Sequence, residues 1–135
     1  MGNLQSDDTS VFPDPVYRET VLKPLFDGTR QHHAAALRDI DHAHLVMLVE
    51  TGIIDRQQGT AIARALAAMA REIDPQSLGY DGEVEDYFFY MERELKRRAG
   101  ADTGGRLHTG RSRNDIEHTY LKLRLRSRLD RLLAA

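Results

Sequence analysis

The amino-acid sequence predicts an all-α protein. Apolar residues recur at every third or fourth position over long stretches, which is the period of a helix with one buried face. Capping residues and glycines separate these stretches where helices should begin and end. No stretch alternates apolar and polar residues strongly enough to predict a strand. The chain of 135 residues is long enough for one domain with a buried core.

The N-terminal region is predicted to combine a polar arm with a short helix. Residues 1–13 are polar and end in a proline, so we expect a flexible or extended arm. A short helix is predicted over residues 14–26, with Pro15 in its first turn. Pro24 should end or kink this helix, because proline has no N–H to donate and its ring clashes with the preceding turn.

Two longer helices are predicted next. The first covers about residues 29–51 and ends at the stop signal Gly52. Its apolar stripe consists of Leu37, Ile40, His44, Met47 and Leu48. The second begins with Asp55 and Gln58, which match a capping box, and ends before Pro75. Its stripe consists of Ile62, Leu66, Met69 and Ile73.

Two further helices are predicted on either side of a glycine-rich segment. Asp81 is predicted to cap the first of them, whose acidic start and basic end suit the helix dipole. Gly100 should close it, and residues 100–111 are predicted to form a loop because they contain four glycines. The last helix should start between Ser112 and Asp115. Its leucine stripe meets no stop signal, so we expect the helix to continue in a longer protein. The stripe consists of Leu121, Leu125, Leu129, Leu132 and Leu133.

Composition and charge exclude several classes of protein. There is no Cys, which excludes a disulfide scaffold, a thiolate zinc site and a Cys nucleophile. His42 and His44 are two residues apart and do not share a helix face, so no metal site is expected. Apolar runs are too short for a membrane span, and the N-terminus lacks a signal-peptide pattern, so we expect a cytoplasmic protein. The last 40 residues carry 11 Lys and Arg against 4 Asp and Glu, which suits either an anionic ligand or a solvated helix face beside acidic surfaces.

The segment of residues 104–115 carries the strongest functional signal. It combines short polar side chains with two arginines whose planar forks can each hold a carboxylate through two hydrogen bonds. These residues are Thr109, Arg111, Ser112, Arg113 and Asn114. They lie at a predicted helix N-terminus, where free N–H groups favour anions. The segment therefore predicts a carboxylate or phosphate site, with the alternative that Ser112 or Asn114 only caps the helix and the arginines are solvated.

A resemblance to a known family rests on nine consecutive residues. Residues 107–115, Leu-His-Thr-Gly-Arg-Ser-Arg-Asn-Asp, resemble the first signature region of the argininosuccinate lyase family, within the fumarase/aspartase superfamily. Upstream, Glu85 and Asp86 resemble the acidic motif that precedes this signature, and residues 43–53 resemble the first long helix of the family. The likeness covers roughly residues 12–135.

This resemblance implies a lyase with a nearly all-helical fold. Residues 14–111 would form an N-terminal helical domain, and residues 112–135 would begin a long helix of a central bundle. Such bundles associate into homotetramers. Members release fumarate from a small dicarboxylate substrate without a metal or an organic cofactor, by removing a proton beside a carboxylate and stabilising the resulting dianion. No membrane or nucleic-acid partner is implied.

The resemblance also assigns roles to individual residues. Ser112, Arg113 and Asn114 would hold substrate carboxylates, with Thr109 nearby and Asp86 associated with the site. The catalytic His and Ser of the family belong to its second and third signature regions, which do not occur in these 135 residues. No catalytic residue is therefore assigned in this chain, and we expect a fragment that is inactive by itself.

Two positions depart from the family pattern. Ile116 stands where a Gln commonly follows the signature, and Phe88 stands where the acidic motif usually continues with a His. Three interpretations remain open. The chain is part of an argininosuccinate lyase, part of a lyase acting on another N-substituted aspartate, or a non-enzymatic helical module that binds anions or nucleic acid.

Overall fold

The computed structural model describes residues 13–135 and contains helices but no strand within that range. The predicted all-α class is therefore confirmed. Within residues 13–135, six α-helices follow one another, together with one π-helical turn and one 3₁₀ turn. Their bounds are α1 Pro15–Tyr17, the π-helical turn Arg18–Leu22, α2 Lys23–Glu50, α3 Arg56–Glu72, α4 Tyr87–Ala99, α5 Ala101–Gly105, the 3₁₀ turn Arg106–His108 and α6 Arg113–Leu133. The predicted N-terminal arm lies outside the described residues except for Pro13.

The N-terminal helical region is continuous, which corrects two predicted boundaries. Asp14 caps α1 by accepting from two backbone N–H groups. The π-helical turn then leads directly into α2, so no helix ends at residue 26 and none begins at residue 29. Pro24 lies in the first turn of α2. Pro24 does not interrupt the helical region, because it lies just after the change from the π-helical turn to α2. The first turn of an α-helix tolerates a missing N–H.

The buried face of α2 is rotated from the predicted stripe. Met47, which the stripe included, is 39% exposed, and Ile40 and His44 are only half-buried. The buried residues of α2 recur at intervals of three or four and are Phe26, Arg30, His33, Leu37, Asp41, Leu45 and Leu48. The face therefore includes charged side chains, which apolar periodicity alone leaves out.

Helix α3 begins and ends as predicted. The Asp55 carboxylate accepts from the N–H of Gln58, and the Gln58 side chain accepts from the N–H of Asp55. This reciprocal pair is the predicted capping box. The helix ends at Glu72, before Pro75. Its buried apolar residues include Ile62, Leu66 and Met69.

Helix α4 is capped by Asp86 and not by Asp81. The Asp86 carboxylate accepts from the N–H of Phe89 at 3.0 Å. Asp81 instead accepts from the N–H of Glu83 and forms an ion pair with Arg93. The predicted cap is wrong because the chain bends once more between residues 81 and 86 before the helix begins.

The glycine-rich segment after α4 is helical, so the predicted loop is wrong over most of its length. Gly100 ends α4 as predicted, but α5 and the 3₁₀ turn occupy residues 101–108. Gly104 packs so closely on α4 that a Cβ would come within 2.8 Å of the Lys96 Cα, and Leu107 is buried in the core. Tertiary packing therefore decides the conformation, and the glycine permits a close approach of two backbones.

Two hydrophobic clusters form the core. The first lies between α2, α3, α4 and the 3₁₀ turn and contains Leu45, Leu48, Ile54, Ile62, Ala65, Leu66, Met69, Leu95 and Leu107. The second lies between α2, α4 and α6 and contains Phe26, Leu37, Tyr87, Phe88, Ile116 and Tyr120. Residues 108–115 connect the two clusters.

Helix α6 starts at the predicted place, with Ser112 as its N-cap. Its buried residues, Ile116 and Tyr120, belong to its first two turns. Five leucines further along are between 45% and 84% exposed, namely Leu121, Leu125, Leu129, Leu132 and Leu133. Between residues 13 and 135, the helices are too short or too polar to cross a membrane.

Candidate substrate-binding site

The candidate site lies where a tight turn, residues 109–112, connects the 3₁₀ turn with α6. Gly110 has a φ of 73°, a left-handed conformation that glycine adopts without strain. The Ser112 Oγ accepts from the N–H of Asp115 at 3.2 Å, and Asp115 Oδ2 lies 2.8 Å from the Ser112 nitrogen. These two residues form a capping box at the start of the helix. Hydrogen bonds from the backbone and side chain of Ser112 hold the pKa of Asp115 below its usual range.

Ser112 therefore has the capping role that the sequence left open, and Asn114 does not. Asn114 is exposed at the second position of α6. Thr109 is also exposed, and its carbonyl accepts a hydrogen bond from His44 Nε2 at 2.9 Å. Because both residues are exposed, the Asn114 amide and the Thr109 hydroxyl are accessible to a ligand at the surface.

The structure brings two predicted site residues together, Asp86 and Arg113. Arg113 Nε lies 2.9 Å from Asp86 Oδ2, and Arg113 Nη1 lies 2.8 Å from Glu85 Oε1. The Asp86 side chain is 5% exposed and the Glu85 side chain 51%. Arg113 thus lies between a buried carboxylate and a solvated one. Burial raises the pKa of Asp86, and the N–H of Phe89 and the charge of Arg113 oppose that shift.

Arg111 is engaged inside the protein instead of being solvated. Its Nη2 lies 2.6 Å from Asp41 Oδ1, and the two side chains are 8% and 11% exposed. Burial raises the pKa of Asp41, and the positive charge of Arg111 opposes the shift. A ligand at the surface can therefore reach Arg113, whereas the fork of Arg111 already faces a carboxylate of α2.

Sequence reasoning missed Asp41, His44 and Glu92 as residues that hold this segment. Glu92 Oε1, on α4, lies 2.7 Å from His108 Nδ1. Burial acts to raise the pKa of Glu92, but hydrogen bonds from His108 and Lys96 outweigh it and lower that pKa. His108 and Arg111 of the segment therefore each contact a carboxylate of another helix, Glu92 of α4 and Asp41 of α2.

A signal for these carboxylates is present in the sequence. Asp41 stands four residues after Leu37 and four before Leu45, in line with the buried face of α2. Glu92 stands four residues after the buried Phe88, whose ring packs edge-on against the imidazole of His108 with centroids 5.4 Å apart. A carboxylate in line with a buried apolar stripe needs a polar partner, because an unpaired buried charge is costly.

The basic charge around the segment is neutralised within the chain. Each Lys and Arg between residues 96 and 113 lies within ion-pair distance of a carboxylate. These residues are Lys96, Arg97, Arg98, Arg106, Arg111 and Arg113. For this stretch, the pairing favours the alternative in which basic residues complement acidic surfaces. Among residues 13–135, no three His, Asp or Glu side chains cluster in a way that could hold a metal ion.

The inner side of the segment is closely packed. The cavity beneath it has a volume of about 10 Å³ and is lined in part by Asp41, Glu92, His108 and Arg111. That volume is sufficient for roughly one water molecule. This cavity therefore has no room for a ligand larger than water, whereas the outer surface of the segment presents Thr109, Arg113 and Asn114.

Comparison with known proteins gives similarity along nearly the whole chain. The chain is 58% identical over 132 residues to Argininosuccinate lyase 2 of Agrobacterium fabrum, covering 98% of this chain and 26% of that protein. It is 40% identical over 120 residues to Argininosuccinate lyase of Ralstonia nicotianae, covering 82% of this chain and 25% of that protein. The match to Argininosuccinate lyase 1 of Shouchella clausii is 32% identical over 111 residues, covering 82% and 22% respectively.

The chain thus spans about a quarter of the length of these relatives. No protein-family model matches the chain, and no solved structure matches it.

Proposed function

Because the chain belongs to the argininosuccinate lyase family, matching its N-terminal portion, we propose that it forms this portion of an enzyme that cleaves argininosuccinate into arginine and fumarate. The single observation that carries the proposal is the 58% identity, over 98% of the chain, to a relative named for this activity. The reaction breaks a carbon–nitrogen bond reversibly and serves arginine biosynthesis.

The proposed chemistry begins at the carbon beside a carboxylate of the succinyl group. A base removes a proton from this carbon, and the electron pair left behind moves into the neighbouring carboxylate to give a dianion. The return of that pair forms the double bond of fumarate and expels the nitrogen of arginine, which an acid protonates as it leaves. Hydrogen-bond donors accelerate the reaction if they bind the dianion more tightly than the substrate.

In this proposal, the start of α6 holds the substrate carboxylates. Arg113 has five N–H groups, of which the contacts to Glu85 and Asp86 use two nitrogens. The exposed amide of Asn114 donates to a carboxylate oxygen, and the exposed hydroxyl of Thr109 precedes it by five residues on the other side of Gly110. The dipole of α6 adds to the attraction, because free N–H groups at a helix start favour anions.

Asp86 and Ser112 hold the proposed binding residues in position. Asp86 Oδ2 forms an ion pair with Arg113, 2.9 Å from its Nε, and so restricts the orientation of the guanidinium. Ser112 keeps the helix start in place through its capping box with Asp115, and its hydroxyl lies beside the proposed carboxylate position. The acid and the base are assigned to parts of the enzyme outside these 135 residues, which is why no residue here is given a catalytic role.

Argininosuccinate is preferred over other N-substituted aspartates for a structural reason. The two departures from the family pattern, Ile116 and Phe88, are 2% and 6% exposed and belong to the second hydrophobic cluster. Both side chains therefore lie in the core, and neither belongs to the outer surface of the turn that would contact a substrate. The proposal also includes a homotetramer, supported by the exposed leucines of α6, and a cytoplasmic location, which is carried over from the family resemblance.

The experiment is an assay of the full-length protein that contains this chain. We expect release of fumarate from argininosuccinate and, in the reverse direction, addition of fumarate to arginine in preference to lysine, ornithine or ethylenediamine. The 135-residue chain by itself is the matched control and should release no fumarate above a buffer blank. A full-length protein that is folded but inactive on argininosuccinate would refute the proposed substrate, and activity with another amine would support the second lyase interpretation.

A further inference from the structure

We propose that Asp41 is a positioning residue for the candidate site, because its ion pair with Arg111 sets the position of the turn that leads into α6. This inference rests on the proposed function, since it concerns how the start of α6 is placed for the substrate. Asp41 itself lies beneath the turn and is not assigned a contact with substrate.

The turn is attached to α2 at two points. Asp41 Oδ1 accepts from Arg111 Nη2 at 2.6 Å, and His44 Nε2 donates to the carbonyl of Thr109 at 2.9 Å. Asp41 and His44 are three residues apart and therefore lie on the same face of the helix. This face of α2 thus holds the turn on both sides of Gly110.

Arg111 depends on Asp41 for charge compensation. The Arg111 side chain is 8% exposed, and its Nε and Nη1 are buried without a hydrogen-bond partner among residues 13–135. Asp41 is the one carboxylate in ion-pair distance of Arg111 within that range. Without the Asp41 charge, the guanidinium would be a buried and uncompensated cation, which proteins avoid. The side chain would then move toward solvent.

Such a movement is transmitted directly to the proposed binding residues. Arg111 adjoins the N-cap Ser112 and is two residues from Arg113. Gly110, with its φ of 73°, precedes Arg111 and offers little resistance to a change of backbone direction. A displacement of about 1 Å in a group that positions a substrate can lower the rate on the order of 100-fold.

The test uses the full-length enzyme with three variants. Asp41→Asn removes the charge and keeps the size of the side chain. The double variant Asp41→Leu with Arg111→Met removes both buried charges and keeps apolar packing, a replacement that is often neutral for stability. Glu94→Gln is the matched control, because Glu94 is a carboxylate of similar burial that pairs with Arg98 on α4, away from the turn.

We expect Asp41→Asn to lower kcat about 30-fold to 100-fold per folded enzyme and to lower the melting temperature. The double variant should recover the melting temperature but not kcat, and Glu94→Gln should lower the melting temperature without changing kcat. Recovery of kcat together with stability in the double variant would overturn the inference, because a merely structural ion pair behaves in that way. Unchanged kcat in Asp41→Asn would overturn it as well.

A second readout separates this inference from the proposed function. Hydrogen exchange of the backbone amides in residues 106–116 should be faster in Asp41→Asn than in the wild type and in Glu94→Gln. If the wild type releases no fumarate, the proposed function fails, and the exchange measurement still tests the role of Asp41 in holding the turn. Equal exchange in Asp41→Asn and in Glu94→Gln would contradict that role.

Discussion

Arg113 forms ion pairs with two carboxylates whose surroundings differ. Asp86 is buried and also caps α4, so a hydrogen bond from Phe89 and the ion pair with Arg113 together fix its position. Glu85 is half exposed and contacts a single guanidinium nitrogen. An ion pair with a solvated carboxylate contributes little stability. In the proposed site, a substrate carboxylate would therefore replace Glu85 at Arg113 at small cost, while Asp86 would stay in place.

This difference predicts that Glu85→Gln lowers KM for argininosuccinate. The exposed ion pair between Glu85 and Arg113 contributes up to about 1 kcal/mol, which a competing substrate carboxylate must overcome. Its removal therefore corresponds to a decrease in KM of up to about fivefold. Initial rates at several substrate concentrations measure the effect. Glu83→Gln is the control, because it removes the same charge from Arg93, which is not part of the site. Equal changes in KM for the two variants would mean that the effect is only one of overall charge.

Asn114 and Arg113 should act on turnover more than on substrate affinity. We expect Asn114→Ala to lower kcat on the order of 100-fold, as the loss of one oxyanion donor does in other enzymes. Arg113→Lys should lose nearly as much, because a lysine cannot reproduce the guanidinium fork. Helix content by circular dichroism and the melting temperature should stay unchanged for Asn114→Ala, since Ser112 caps α6. Normal kcat in Asn114→Ala would refute its place in the site.

At the scale of helices, the sequence predicted helix boundaries correctly where these depend on residues close together in the chain. The capping box of α3 and the start of α6 depend on local hydrogen-bond patterns, and both were predicted correctly, although the sequence left open whether Ser112 or Asn114 caps α6. Signals failed where distant parts of the chain decide the conformation. Pro24 follows a π-helical turn that no local pattern indicated, and Gly104 is helical because it packs on the backbone of α4.

The residues of the candidate site also differ in whether local motifs indicate them or whether they depend on distant parts of the chain. The candidate residues of the turn and Asp86 could be named from the sequence because residues 107–115 and the upstream pair Glu85 and Asp86 each resemble a family motif, and their roles stay predictions. Asp41 could not be assigned to the site from the sequence, since its partner Arg111 is 70 residues away along the chain. The pairing of Glu92 with His108 spans 16 residues and depends on how α5 folds back onto α4.

The contact between Glu92 and the segment after α4 predicts a pH-dependent loss of stability. The pKa of Glu92 is lowered from its usual 4.5 in the folded protein. Its stabilising effect is therefore complete above that usual value and disappears as the pH falls through the lowered pKa. Glu92→Gln should cost about 1.5 kcal/mol at neutral pH. Melting temperatures of the two proteins should converge in acid, and a constant difference across the pH range would contradict the assignment.

At the scale of the whole molecule, α6 has two distinct parts. Its first two turns belong to the second hydrophobic cluster, and its remaining turns carry exposed leucines. Large apolar patches on a protein surface favour association with a partner. The proposed tetramer would bury this face, so the isolated chain should show the consequences of leaving it uncovered.

We expect the isolated 135-residue chain to self-associate at tens of micromolar in sedimentation experiments. Leu125→Glu should shift it toward a monomer, because a charge in the middle of the stripe opposes burial of that face. Val46→Glu is the control, since Val46 is similarly exposed, at 54% against 58%, but lies on α2. A monomeric wild-type chain, or equal effects of the two variants, would contradict the role of the α6 stripe.

The segment with the candidate site joins the two hydrophobic clusters, with Leu107 in one and Ile116 in the other. Both of its ends are therefore held by side chains in different cores, and the eight residues between them span a set distance. An inserted or deleted residue would have to be absorbed by the turn itself, because neither core can shift to accommodate it. Over evolutionary time, the length of this stretch should therefore stay constant even at positions where the side chain neither holds the turn nor faces a ligand.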